Sequence, residues 1–258
     1  MDLSPNEVRF QCRQGTFQFP TPGIACGFLQ ANLVILPKSM AFDFLVFCTR
    51  NPKPCPILDV TEVGNAEPQI VAPGADLRTD LPRYNIFRNG ELKEEVADIS
   101  NIWRDDFVGF LVGCSFSFES ALMDAGIPVR HIEEGKNVPM YKTNITCREA
   151  GAFSSPLVVS MRPLAASDII RAVQITSRFS KAHGTPIHFG SPEAIGIKNL
   201  EAPDFGEAVT IAEGEIPVFW ACGVTTQIAI IQAKPEIAIT HAPGYMFVTD
   251  IKEDYFSW

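Results

Sequence analysis

Dense apolar runs, cut by Pro, Gly or Asn, alternate along this chain with segments whose apolar residues recur at helical spacing. The most informative stretch is Phe107 to Ala125, FVGFLVGCSFSFESALMDA. Its apolar first half predicts a buried segment that turns at Gly113-Cys114-Ser115, and Phe116, Phe118, Leu122 and Met123 then fall on roughly one helical face. Glycine relieves the steric cost of such a bend, Ser115 or Ser117 can cap the helix, and Glu119 sits in its first turn. Unpaired N–H groups and the peptide dipole at a helix start attract carboxylates.

The same reading extends along the chain. Pro5 to Gln14 suits a short helix capped by Ser4 and stopped by Gly15. Phe28 to Leu36 is a buried strand or a lead-in segment ended by Pro37, and Ser39 to Cys48 is too densely apolar for a surface helix, which predicts a buried one. Cys55 to Val60 reads as a strand, Asp76 to Tyr84 as an ordered loop, and Asn89-Gly90 as the turn of a hairpin, since both central residues of a type I′ turn need positive φ. Ile127 to Ile132, Tyr141 to Cys147 and Leu157 to Met161 are further strands. Ser167 caps a helix to Ala182, closed by Gly184, and Ser191-Pro192-Glu193 opens a short one. Pro217 to Gly223 is a buried strand entering a turn, Thr225 to Ala233 a helix, and Glu236 to His241 and Met246 to Asp250 the final strands. The sum is an α/β chain with mixed sheets and two lobes in one compact unit. A soft boundary near Ala152 to Ser155 separates residues 1–152, which hold the hairpin, from residues 153–258, with room for interleaving.

Composition narrows the partners. Of 258 residues 46% are hydrophobic and 20% charged, and no run of 18 apolar residues is uninterrupted, so no transmembrane helix is expected. The start, MDLSPNEVRFQCRQG, lacks an apolar signal core and reads as the N-terminus of a cytoplasmic protein. Net charge −9 without a basic stripe argues against nucleic acid. Seven cysteines are scattered and form no C-x-x-C pair, which points to reduced, mainly buried thiols. The excess of apolar over charged residues is compatible with a homodimer.

Candidate chemistry gathers at the turns. Cys114 and Cys222 sit at predicted strand-to-helix turns, where a helix start lowers a thiol pKa; each is also readable as a small buried hydrophobe. GCSFSFESAL and ACGVTTQIAI repeat one plan of apolar segment, Cys/Gly turn, hydroxyl residue and helix. Two such turns facing each other would resemble racemases that set thiols on opposite sides of an α-carbon. Ser115 and Thr225 have the alternative job of caps. His241 ends the strand IAIT, His183 and His188 flank Gly184-Thr185-Pro186, and His131 lies in a predicted strand. Without H-E-x-x-H or a spaced acidic cluster, a metal site would need distant residues. Arg78 and Arg83 bracket Asp80, and Arg162 follows LVVSM at a predicted strand end with no acid nearby in sequence, so its planar fork suits a carboxylate. G-x-G-x-x-G, G-x-x-x-x-G-K-[ST] and G-x-S-x-G are missing, which leaves nucleotide-dependent and α/β-hydrolase readings without an anchor.

QANLVILP, FCTRNPKPCPILDV, DLRTDLPRY, GCSFSFESAL, NVPMYKTNITC, PLVVSMRP, HGTPIHFG, PVFWACGVTTQ and THAPGYMFVTD, in this order over nearly the whole chain, resemble the D-glutamate cyclase family. The resemblance implies a two-lobed α/β fold with no obvious cofactor and, for members of the family, loss of water from D-glutamate to give 5-oxo-D-proline. Tested against that chemistry, Arg162, with Arg83 as second choice, would bind a carboxylate, and Arg78, Asn144, Cys222 and Thr225 complete the expected substrate side. The Cys114-Ser115 turn would offer N–H donors to the oxygen that becomes anionic, and His241, Glu119 or Asp106 would move protons. The alternatives are a lyase acting on another small hydroxy or amino acid, and a non-catalytic carboxylate-binding subunit of an oxoproline-processing assembly.

Overall fold

Ser4 and Glu7 start the first helix by a reciprocal pair of hydrogen bonds. In the structure, a computed structural model that describes residues 3–252, the Ser4 hydroxyl accepts from Glu7 N–H and the Glu7 carboxylate accepts from Ser4 N–H, a capping box at the head of α1 (Pro5–Arg13). Then come β1 (Phe28–Pro37), α2 (Lys38–Arg50), β2 (Ile57–Val60), β3 (Tyr84–Arg88) and β4 (Glu91–Val96). Asn89 and Gly90, at φ 52° and 81°, make the expected hairpin turn between the last two. β5 (Phe107–Gly113), α3 (Phe116–Asp124), α4 (Arg130–Glu133), β6 (Met140–Thr146) and β7 (Pro156–Ala165) follow. The chain continues through α5 (Ala166–Ser177), β8 (His188–Phe189), β9 (Glu215–Ala221), α6 (Val224–Ala233), β10 (Ala238–His241) and β11 (Phe247–Lys252). No helix among the described residues is long and apolar enough to cross a membrane.

The strands form two sheets. One has the order β2-β5-β1-β10-β3-β4, with β11 also on β1, and the other the order β6-β7-β9-β8. The α/β expectation holds, and pairing among the described strands is antiparallel throughout, well beyond the hairpin. The first sheet draws on both ends of the sequence, because β10 slots between β1 and β3.

Strand alternation sorts the side chains of β7 and β9 onto two cores. Val159, Met161, Phe219 and Ala221 join Val34, Phe44, Phe47 and Phe110 between the sheets. Leu164, Val218 and Trp220 point the other way, beneath Phe118 and Leu122 of α3 and Ile169 and Ala172 of α5. A third core lies beyond the first sheet, where Leu33, Ile35 and Leu111 meet Leu77 and Leu81 of the loop after β2. Each fully buried side chain of this size contributes about 1.5–3 kcal/mol, so both faces of both sheets are committed to packing.

Several local expectations give way to tertiary context. α2 buries Phe44, Phe47 and Cys48 but leaves Phe42 74% exposed, because only one side of it meets the sheet. Ile127 to Ile132 is not a strand: Ile127 and Val129 fill the space under α3 and α5, and the chain then curls into α4. A short apolar run carries too little periodicity to separate these outcomes. Ser167 does not cap α5, which leaves β7 directly at Ala166 and ends at Ser177, before a separate 3₁₀ turn at Ser180–Ala182. β7 also runs on past Arg162. Pro163 faces Pro217 across the ladder and lies beyond the last β6 partner, so its missing N–H breaks no bond, and Arg162 stands within the strand rather than at its end.

Candidate active site between two strand-to-helix turns

β5 and β9, one from each sheet, end in the two turns that share a sequence plan. At the first, a Cβ on Gly113 would stand 1.6 Å from the Lys181 carbonyl oxygen, so only glycine lets the strand pass there. Cys114 N–H then donates to Gln30 O (3.1 Å) and Cys222 N–H to Val158 O (2.9 Å), fixing each turn to the neighbouring strand. The Cys114 sulfur accepts from Phe116 N–H and the Cys222 sulfur from Val224 N–H, so thiols sit where cap oxygens usually do. The hydroxyls expected to cap are used elsewhere. Ser117 Oγ accepts Gln30 N–H at 3.0 Å; Thr225 Oγ1 accepts Val158 N–H at 3.0 Å and donates to Cys222 O at 2.7 Å. No side-chain oxygen caps either helix start.

Both turns open on one narrow crevice. Cys114, Ser115, Cys222 and His241 line it together with Asn32, Asn137, Val138, Pro243, Gly244 and Met246. Its free volume is about 20 Å³, room for roughly one water. Asn32 ties the walls together: its amide donates to Val112 O (3.1 Å) and Gly113 O (2.9 Å), and its side chain occupies the space that a Cβ on Gly223 would need, 2.2 Å from Nδ2. His241 closes the end of β10, where Leu33 N–H donates to its Nδ1 at 3.1 Å. Leu33 O lies 3.4 Å from the same nitrogen; in the tautomer that the shorter contact selects, the neutral ring carries its proton on Nε2. Burial pulls the His241 pKa down to about 4, so the ring is neutral at physiological pH. Burial also raises both thiols, Cys222 to about 11 and Cys114 further, so at rest they carry their protons despite the helix starts.

Behind the Cys114 turn lies a buried ionic cluster. Arg162, 1% exposed, donates from Nε (3.1 Å) and Nη2 to Glu119 Oε1, from Nη1 to Ser160 Oγ (3.0 Å) and from Nη2 to Ser115 Oγ (3.2 Å). Its guanidinium lies over the rings of Phe118 and Trp220, 5.1 and 5.4 Å from their centroids. His131 Nε2 stands 3.2 Å from Glu119 Oε1 but off the line of a hydrogen bond, leaving both ring nitrogens without a hydrogen-bond partner. Burial pushes the Glu119 carboxyl up; Arg162, then His131, outweigh it and hold the pKa below its usual value. His183 Nδ1–H donates to Lys53 O (2.8 Å), and burial draws its pKa down to about 4.

The sequence-derived residues therefore separate. Cys114, Ser115, Cys222 and His241 meet in the crevice, and Thr225 anchors the turn from behind. Glu119 and Arg162 face each other one layer back and reach the crevice through the Ser115 hydroxyl. Arg162 was expected to find no acid near it in sequence; strand β7 and helix α3 supply one across the fold. Asp106 stands before the first residue of β5, at the far end from Cys114, paired to Arg104. Arg83 bonds Gln18, Asn144 lies against Gly196 on β6, and Arg78 pairs with Asp76 in a separate surface hollow of about 480 Å³. Asn32 escaped the sequence reading, although a polar residue inside the apolar run QANLVILP was a visible signal. Among the described residues no group of three or more His, Cys, Asp or Glu is placed to hold a metal ion.

The chain is similar to known proteins along nearly its whole length. The family model described as D-glutamate cyclase matches residues 108–250, a span that takes in both turns and His241. A protein of Stutzerimonas stutzeri bearing the name "Putative hydro-lyase" is 60% identical over 253 residues, covering 98% of this chain and 96% of its own. "Putative hydro-lyase YcsI" of Bacillus subtilis is 59% identical over 252 residues, 98% of either chain. Among solved structures, a nitrogen repressor-like protein of Methanococcus jannaschii aligns over 92% of both chains with a TM-score of 0.39 and 8% identity, too slight a likeness to bear on fold or function.

Proposed function

The chain belongs to the D-glutamate cyclase family, and from that premise we propose that it is a hydro-lyase whose crevice takes D-glutamate and closes it to 5-oxo-D-proline with loss of water. The observation that carries this reading is the convergence on one crevice of a neutral histidine and two helix starts that no side-chain oxygen caps. Glutamate has two carboxylates. One start presents Ser115 N–H and the other Gly223 N–H, with the positive end of a helix dipole, to one carboxylate each, while the two sulfurs hold Phe116 N–H and Val224 N–H.

Ring closure needs the α-nitrogen to attack the γ-carboxyl carbon while an oxygen leaves. The α-ammonium gives up two protons and the departing oxygen collects two as water, so the site has to relay protons without supplying any. His241 Nε2–H, aimed from a ring kept neutral, is a donor to the oxygen that gains charge, as the helix N–H groups are. The crevice also holds the substrate folded on itself, and orientation of this kind is worth up to roughly 7–11 kcal/mol in intramolecular cases. Arg162 and Glu119 serve by position: their pair is spent on each other, and its reach into the crevice is the bond to Ser115 Oγ. Because the crevice holds about 20 Å³, glutamate enters only when its walls separate.

Proton NMR of the purified protein with D-glutamate, L-glutamate and a panel of small hydroxy acids tests the reading. 5-Oxoproline formed from the D-isomer, at once and faster than from the L-isomer, supports it. An alkene from a hydroxy acid would keep a hydro-lyase and replace the substrate; no turnover, with a ligand still raising the melting temperature, would favour a carboxylate-binding subunit.

A further inference from the structure

We propose that Cys114 and Cys222 act as a facing thiol pair that exchanges the α-hydrogen of the amino acid held in the crevice, so that the protein also epimerises glutamate or a similar small amino acid. The inference rests on the part of the preceding reading in which the crevice binds an amino acid, and not on ring closure.

Two sheets each bring one thiol to the same crevice, by the same construction. Cys114 follows the last residue of β5, Cys222 the last of β9, and each sulfur accepts an N–H two residues on, at the start of α3 or α6. The other described cysteines do not share this setting: Cys26 is exposed, and none of Cys12, Cys48, Cys55 and Cys147 joins a strand to a following helix; Cys222 itself packs with Val138, Met140 and Val158, its sulfur 3.5 Å from Met140 Sδ. Asn32, bonded to the Cys114 turn and filling the space beside Gly223, fixes one wall against the other. The thiols are close enough for the charge of one to disfavour ionisation of the other. The pair therefore holds one proton more readily than none, which is the thiolate-plus-thiol state that proton transfer across a carbon centre requires.

The step balances within the crevice. Cys222, after losing its proton to water, takes the α-hydrogen: the C–H bond breaks, an S–H bond forms, and the electron pair moves onto the α-carbon and its carboxylate. The N–H groups of a helix start, already on that carboxylate, stabilise the added charge. Cys114 then gives its proton to the opposite face, forming a new C–H bond and leaving Cys114 as the thiolate. Configuration inverts, no electrons are gained or lost overall, and exchange with water resets the pair. Burial, which makes these thiols poor acids, makes their thiolates stronger bases toward carbon.

The test is incubation of the full-length protein with D-glutamate and, separately, L-glutamate in D₂O, followed by proton NMR at the α-position and chiral chromatography. The expected result is loss of the α-proton signal from both isomers, with the opposite isomer appearing deuterated. Cys114→Ala and Cys222→Ala should each slow inversion by at least about 100-fold, each retaining wash-out from only one isomer. Retention of the α-proton in both isomers, or exchange that survives in the double variant, overturns the proposal; should the variants fail to fold, the wild-type deuterium result decides alone. 5-Oxoproline without α-deuterium sinks the thiol pair and leaves ring closure standing; α-deuterium without 5-oxoproline does the reverse.

Discussion

Leu33 donates its N–H to His241 Nδ1 at 3.1 Å, at the register where the ladder between β1 and β10 stops after Val34 and Thr240. The imidazole thus replaces a strand partner, and protonating it would bury a charge that a bond from Nδ1 to Leu33 O, 3.4 Å away, offsets only in part. His241 and His183 both have pKa values drawn down to about 4 from 6.5 by burial. Between these values the unfolded chain binds more protons than the folded one, so stability rises with pH and is lost as pH falls from about 6.5 toward 4. Each histidine contributes about 1.4 kcal/mol per pH unit in that window. Urea denaturation at pH 7, 6 and 5 should show this slope, and His241→Gln should remove about half of it.

Breaking the Glu119–Arg162 pair should be far worse than removing it. Both side chains are almost fully buried, and either Glu119→Leu or Arg162→Met leaves an uncompensated charge costing about 3–5 kcal/mol. The double variant should recover most of that stability in denaturation curves while losing turnover, since the Ser115 hydroxyl loses its anchor.

Two glycines of β5 should respond differently to the same change. A Cβ at Gly113 meets the backbone oxygen of Lys181 at 1.6 Å, whereas at Gly109 the nearest atom, 2.7 Å away, is the end of the Leu77 side chain, which can turn aside. Gly109→Ala should cost about 1–3 kcal/mol and Gly113→Ala clearly more, with misplacement of Cys114; melting temperatures of the two variants check the order.

Thiol labelling of the native protein should mark Cys26 first. It is exposed, while Cys114 and Cys222 are buried and their pKa values raised, which keeps the reactive thiolate scarce. Mass spectrometry after brief iodoacetamide treatment should find these two slow, and slower again with a bound amino acid.

Much of this molecule was legible in the residues. Ser4-Pro5 started a helix, Asn89-Gly90 turned a hairpin and the Gly/Cys turns ended two strands, because each depends on interactions within a few residues. Ile127 to Ile132, Ser167 and the end of the strand at Arg162 were misread, because packing beneath α3 and a facing proline overrode local preference. The sequence by itself determined most of the elements, the two turns with their thiols, and the imidazole at the end of β10. Only the tertiary structure decided that both turns share one crevice with His241 and Asn32, and that Arg162 faces Glu119. Those meetings join residues dozens to hundreds of positions apart, and the two sheets that bring them together are held by side-chain packing, which carries no short-range signature in the chain.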